Sequence, residues 1–515
     1  ITGQGNTNNI GDGSNEMGDN LAAVDLGSGR TATAISAGAY QTAALLDDGT
    51  VKVWGYGWYG QLGQGNTNSL GDESNEMGDN LAAIDLGSGR TATAIGGNYL
   101  SLYVILDNGI SIAFGENGYG QLGQGNTNDI GDASNEMGDN LAAVDLGSGR
   151  TAKSVAAGLL HTVALLDNGS VKAWGYNQYG QLGQGNINSL GDGSNEMGDN
   201  LAAIDLGSGR TATAISAGFY HTAALLDNGT VKVWGRGIFG ITGQGNSNNI
   251  GDGSNEMGDN LAAVDLGSGR TATAISAGGY QTAVLLDDGT VKVWGYNGYG
   301  QLGQGNSNNI GDNSNEMGDN LVAVDLGSGR TATAICVYGY SVAALLDNGT
   351  LKAWGRGISG KLGQGNQNNL GDGSNEMGDN LAAIDLGSGR TATAIGGNYL
   401  SLYVILDNGI SIAFGENGYG QLGQGNTNDI GDASNEMGDN LTAIDLGSGR
   451  TAKSLHAGIF HGIAVLDNGT VKAWGYNGYG LLGQGSIFNL GDGANEMGDN
   501  LPSIDLSSSS DKVLD

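Results

Sequence analysis

The sequence predicts an all-β fold organised as a repeat array, and three observations carry that prediction. A block of 60 residues recurs along the chain without insertion or deletion. Each block holds two β-prone runs around an Asp-Asp-Gly or Asp-Asn-Gly turn. No block offers a convincing helix. A fixed period this long makes each block one supersecondary unit that buries its apolar face against its neighbours.

The period is read most easily from two markers. Gly-Gln-Gly stands at Gly3-Gln4-Gly5, at Gly63-Gln64-Gly65 and onward to Gly483. The acidic segment Asn15-Glu16-Met17-Gly18-Asp19-Asn20-Leu21 keeps the same step to Asn495 through Leu501. Within a block, Thr31-Ala32-Thr33-Ala34-Ile35 is a short run broken by Ala37-Gly38. Thr42-Ala43-Ala44-Leu45-Leu46 follows, then Asp47-Asp48-Gly49, then Thr50-Val51-Lys52-Val53-Trp54-Gly55. Two such runs around Asp-Gly or Asn-Gly are a strong hairpin signal. Leu21 to Leu26, ended by Gly27-Ser28-Gly29, is a further candidate strand. Three or four short strands per block is the pattern of a propeller blade or a related β-array.

The residues resemble a known family. Ile35-Ser36-Ala37-Gly38, then Thr42 through Trp54-Gly55, then Gly60-Gln61-Leu62-Gly63, is similar to the RCC1 repeat. The likeness is clearest from His221-Thr222 to Trp234-Gly235 and good at His161 and Trp174, and it covers all eight hairpins. It implies an RCC1-like β-propeller of eight 60-residue modules, one more than the usual seven blades. The modules are 31–60, 91–120, 151–180, 211–240, 271–300, 331–360, 391–420 and 451–480, within one array over 1–506. Residues 507–515 read as a flexible C-terminal tail. Nine copies of the acidic connector serve eight hairpins, so Leu21–Leu26 and Leu501–Leu506 compete for one place in a closed ring. An open or spiral array is the alternative.

Composition narrows the function classes. Glycine numbers 100 and proline one, yet Val, Ile, Leu and Trp recur at fixed places, so a packed core is available. The formal charge is -33, from 53 acids against 20 bases, which disfavours nucleic acid and anionic lipid as partners. No apolar run is long enough to span a bilayer. Cys336 is the only cysteine, so no intrachain disulfide forms.

Variation among blocks gathers at residues 38–42 and 56–59 and their equivalents, in loops at strand ends. The second segment holds interface-anchor residue types, and Tyr56, Trp58, Tyr59, Arg236, Phe239 and Arg356 are the candidate partner-binding residues. The acidic segment is the candidate metal loop, with Asp12, Asn15, Glu16 and Asp19 as oxygen donors for Ca²⁺; the alternative is a turn held by hydrogen bonds. Three of the four histidines, His161, His221 and His461, take the family's His-Thr position, where a hydrogen-bonding role is expected. No enzyme is indicated. Residues 91–140 recur identically at 391–440, with Phe114 and Phe414 in place of Trp, a mark of duplication.

These features predict a non-catalytic scaffold for protein binding or self-association, extracellular or surface-associated, with fibre assembly as one form. The alternative comes from the resemblance: the family's founding member is a small-GTPase exchange factor that binds chromatin. That activity depends on a wedge-like insertion, and no block here is longer than 60 residues.

Overall fold

The computed structural model describes residues 24–25, 29–73, 76–97, 100–484, 487–493, 496–497, 501 and 504–505. The metal candidates Asp12, Asn15, Glu16 and Asp19 and the tail 507–515 lie outside these residues. Each block forms one antiparallel sheet, or blade, of three strands. In the first, an inner strand Ala32–Ala37 pairs with a middle strand Gln41–Leu46, which pairs with an outer strand Val51–Gly55. Seven more sheets repeat the pattern, ending with Ala452–Ala457, His461–Leu466 and Val471–Gly475.

The hairpin forms where the sequence places it. Leu46 N–H donates to the Thr50 carbonyl and Gly49 N–H to the Leu46 carbonyl, and Asp48 accepts from both the Thr50 amide and its hydroxyl. Gly49 has φ +79°, a conformation that glycine adopts without steric cost. The middle strand is buried on both faces. A bulge at Thr33 shifts the inner strand's register, from Ala32 opposite Leu46 to Ala34 opposite Leu45. The fourth candidate strand is only partly realised. In the block after the first hairpin it gives one ladder bond, from Ile84 N–H to the Val51 carbonyl, before the chain leaves the blade edge.

The core lies between blades. Indole Nε1 of Trp234 donates at 3.0 Å to the Gln181 carbonyl of the preceding block, and Ala212 N–H donates to the Gly169 turn. Six tryptophans are buried in these seams, and Phe114 and Phe414 take the place in the second and seventh blades. Among the described residues the connector methionines close the seam: a Cβ on Gly123 would stand 2.8 Å from Met197 Cε.

The eighth blade meets the first through the same bonds. Trp54 Nε1 donates to the Leu481 carbonyl at 3.0 Å, and Ala32 N–H donates to Gly469 at 3.0 Å. The sheets stay separate, and the ring closes by packing between them. Both ends of the array find places. Ile504 pairs with Val471 at the edge of the eighth blade, and Val24–Asp25 lies parallel to Ile504–Asp505 outside it. The expected competition for one slot is resolved by stacking the two segments side by side. Among the described residues no helix is long and apolar enough to cross a membrane.

Candidate partner-binding face

The turn between inner and middle strands and the loop after the outer strand emerge at the same end of a blade. A backbone bond joins them in each case, such as Tyr56 N–H to the Tyr40 carbonyl at 2.9 Å and Arg236 N–H to Tyr220 at 2.9 Å. The two variable segments of the sequence therefore share one face of the ring.

Their side chains stack in order around it. The residue at the position of Tyr56 packs on the residue at the position of Tyr59 in the preceding blade. Ring centroids are 4.7 Å apart for Tyr56 and Tyr479, 5.0 Å for Tyr176 and Tyr119, and 4.9 Å for Tyr296 and Phe239. Tyr476 and Tyr419 stand 5.0 Å apart. In the fourth and sixth blades a guanidinium replaces the ring: Arg236 Cζ lies 4.7 Å from the Tyr179 centroid and Arg356 Cζ 5.0 Å from Tyr299. Tyr40, Tyr220, Tyr280 and Tyr340 pack against this belt from the neighbouring turns. Aromatic pairs add about 0.5–1.5 kcal/mol each beyond burial, so the ring contacts stabilise the belt.

All six sequence-predicted partner residues lie on this face. Trp58 stands at a loop tip with 65 % of its surface exposed, the most exposed large apolar side chain among the described residues. Among the described residues neither Arg236 nor Arg356 enters an ion pair, whereas the arginines at the position of Arg30 pair with Asp47 or its equivalents. Tyrosine rings approach both guanidinium groups at cation–π distance.

The sequence reading did not single out the two interruptions. Glu116 and Glu416 occupy the Tyr56 position in the second and seventh blades. Burial first, then the carboxylate of Asp129 or Asp429, raises the pKa of each. Aligning that one position across the blocks would have found them.

Loop geometry is set by side-chain amides. Asn177 Oδ1 accepts from Leu182 N–H at 2.9 Å and its Nδ2 donates to the Asn186 carbonyl at 2.8 Å. Gln181 Oε1 accepts from Tyr179 N–H. Gly237 and Gly357 replace the asparagine in the two arginine blades, and there Phe239 and Ser359 turn left-handed, at φ +63° and +57°.

The acidic connectors form a different structure. Glu136 Oε2 accepts from the amides of Gly131 and Ala133, and Asp139 accepts from the Ser88 amide and hydroxyl of the preceding connector. Asp199 and Ser148 repeat the second contact, tying consecutive connectors together. Lys172 Nζ donates at 2.7 Å to the Gly198 carbonyl beneath this turn. Among the described residues no group of three or more His, Cys, Asp or Glu side chains is arranged to hold a metal ion. His161, His221 and His461 are buried in the seams, each with Nε2 on a threonine hydroxyl.

Comparison with known proteins agrees with this architecture. The family described as "Regulator of chromosome condensation (RCC1) repeat" matches at residues 32–61, 152–181, 212–241, 272–301 and 453–481. The ultraviolet-B receptor UVR8 of Arabidopsis thaliana is 28 % identical over 349 residues, 67 % of this chain and 69 % of that protein. The human E3 ubiquitin-protein ligase HERC2 is 27 % identical over 396 residues, 76 % of this chain but 7 % of the ligase. The crystal structure of Kap60 bound to yeast RCC1 (Prp20) aligns with a TM-score of 0.49 and 19 % identity, over 71 % of this chain and 78 % of that one. Five of its eight blades match the RCC1-repeat family model, and the chain is an RCC1-like repeat protein.

Proposed function

We propose that the protein is a non-catalytic scaffold that binds a protein partner on its aromatic face. The observation that carries this reading is the pair Arg236 and Arg356, each stacked on a tyrosine and without an ion-pair partner among the described residues. Guanidinium groups on the fourth and sixth blades and exposed Trp58 on the first, all on one face, suit a partner that presents carboxylates as well as apolar side chains. Because the eighth blade packs on the first, the reading rests on this face and not on growth from an array end.

The test is binding to immobilised full-length chain, compared with a Trp58→Ala, Arg236→Ala, Arg356→Ala variant. Arg150→Ala, on the Asp167 ion pair of the opposite face, is the control. Proteins retained by the original chain and by the control, but lost from the triple variant, support the reading. Equal retention by all three chains overturns it.

A further inference from the structure

Two arginines break the repeat, and one of them lines a pocket. At the position of Tyr56 four blades carry tyrosine and two carry glutamate, whereas the fourth and sixth carry Arg236 and Arg356. The cations that recur in the repeat are engaged elsewhere. Arginines at the position of Arg30 pair with carboxylates, and lysines at the position of Lys52 donate to connector carbonyls. Arg236 is half-buried, and among the described residues its guanidinium enters neither an ion pair nor a hydrogen bond. Its neighbours are rings, with Cζ 4.7, 5.7 and 6.0 Å from the centroids of Tyr179, Tyr220 and Tyr280.

Beside it the fourth, fifth and sixth blades share a pocket of about 310 Å³, lined by Arg236, Ile238 and five aromatic side chains. The rings brace one another. Phe239 stands 4.9 Å from Tyr296 and 6.1 Å from Tyr280, and Tyr340 stands 5.5 Å from Tyr299 and 5.9 Å from Tyr296. Local backbone places two of them. Phe239 takes φ +63°, a left-handed conformation unusual for a bulky residue and of the kind held at binding sites. Gly298 leaves room for the Tyr296 hydroxyl, which a Cβ there would strike. Every lining side chain is half-buried, so a ligand reaches the pocket from the ring face.

The volume is at the lower end of small-molecule sites. Aromatic walls select a planar ring, and a guanidinium without an ion pair selects a carboxylate. The charge of Arg236 disfavours the cations that aromatic boxes otherwise take. We propose that this pocket is a binding site for a free aromatic carboxylate, its ring against the tyrosines and its carboxylate on Arg236. The site needs no protein partner, so it and the reading above can fail separately.

The experiment titrates the full chain with naphthylacetate by isothermal calorimetry. Naphthylethanol, with the same ring and no charge, and naphthylethylammonium, with the opposite charge, are titrated beside it. The expected result is one saturable site for the acid, with the alcohol about tenfold weaker. Arg236→Gln should weaken the acid by about tenfold and leave the alcohol unchanged, with circular dichroism and Tm as in the original chain. Arg150→Ala, on the opposite face, should change neither. Equal affinity for acid and alcohol, tighter binding of the ammonium, or full affinity of the Gln variant for the acid overturns the proposal. So does the absence of saturable heat up to about 10 mM acid.

Discussion

His461 Nε2 and Thr42 Oγ1, separated by 419 residues of chain, stand 3.1 Å apart across the seam that closes the ring. The same pair joins His161 to Thr222 and His221 to Thr282, each at 3.1 Å. Thr42→Val leaves the buried imidazole with neither nitrogen bonded, since Nδ1 already has no partner. The expected cost is about 1–3 kcal/mol, seen as a lower Tm in calorimetry. Adding His461→Gln should recover most of it, because Gln281 facing Val342 is how the fifth and sixth blades meet. A double variant no more stable than the single one would show that the bond is not what the seam depends on.

That pairing bears on how much of the molecule its sequence discloses. The hairpins were legible because Asp-Asn-Gly and its variants, flanked by β-prone runs, dictate the turn locally. The ring closure was not, because Trp54 meets Leu481 only after eight blades have each added their rotation. A finer signal was present and easily missed. Histidine stands at the Gln41 position only where the next blade offers threonine, as at His161, His221 and His461. Glutamine stands there where the next blade offers Leu102 or Val342. The aromatic belt was half legible: its residue types stood out, but the inter-blade stack became visible only when the loops were placed on one face.

The buried histidines make stability depend on pH. Burial lowers the pKa of His161 and His461 to about 4, and burial with the charge of His161 lowers His221 to about 3. The unfolded chain takes up these protons near pH 6.5, the folded chain only near 4 or below, so stability is full above that window and falls as pH drops through it. Each unit of depression is worth about 1.4 kcal/mol, so the three together weigh several kcal/mol. A variant with all three changed to glutamine should show a flatter urea-midpoint profile between pH 7 and pH 4. An unchanged slope would place the acid sensitivity elsewhere.

A second acid window lies lower. The Ser88 hydroxyl and amide lower the pKa of Asp139, and Ser148 does the same for Asp199. A depressed carboxylate contributes stability that is present above its unfolded value, near 3.9, and lost as pH falls through its folded value. Ser148→Ala should therefore reduce stability at neutral pH and shrink the loss seen below pH 4. Because these carboxylates face solvent, the effect of one contact is small, and changing Ser88, Ser148 and Ser208 together is the measurable form. Identical acid limbs before and after would remove the connector belt from the account of stability.

The acidic turn itself is the last test, because the same carboxylates could serve an ion or the backbone. Glu196 Oε2 already accepts from Gly191 N–H at 2.9 Å and Gly193 N–H at 2.7 Å, and the same bonds recur at Glu256 and Glu376. Those Oε2 lone pairs are aimed at amides, and Asp192 beside the turn has its pKa raised by burial and by Glu196. Glu196→Gln keeps an acceptor oxygen and relieves that repulsion, so it should hold the Tm or raise it slightly. Glu196→Ala strands two amides and should cost about 1–3 kcal/mol. If the amide hydrogen bonds alone close the turn, chelator should leave the Tm of the original chain within about 1 °C. A fall of several degrees in chelator, restored by Ca²⁺ and absent in the Gln variant, would instead assign these oxygens to a metal.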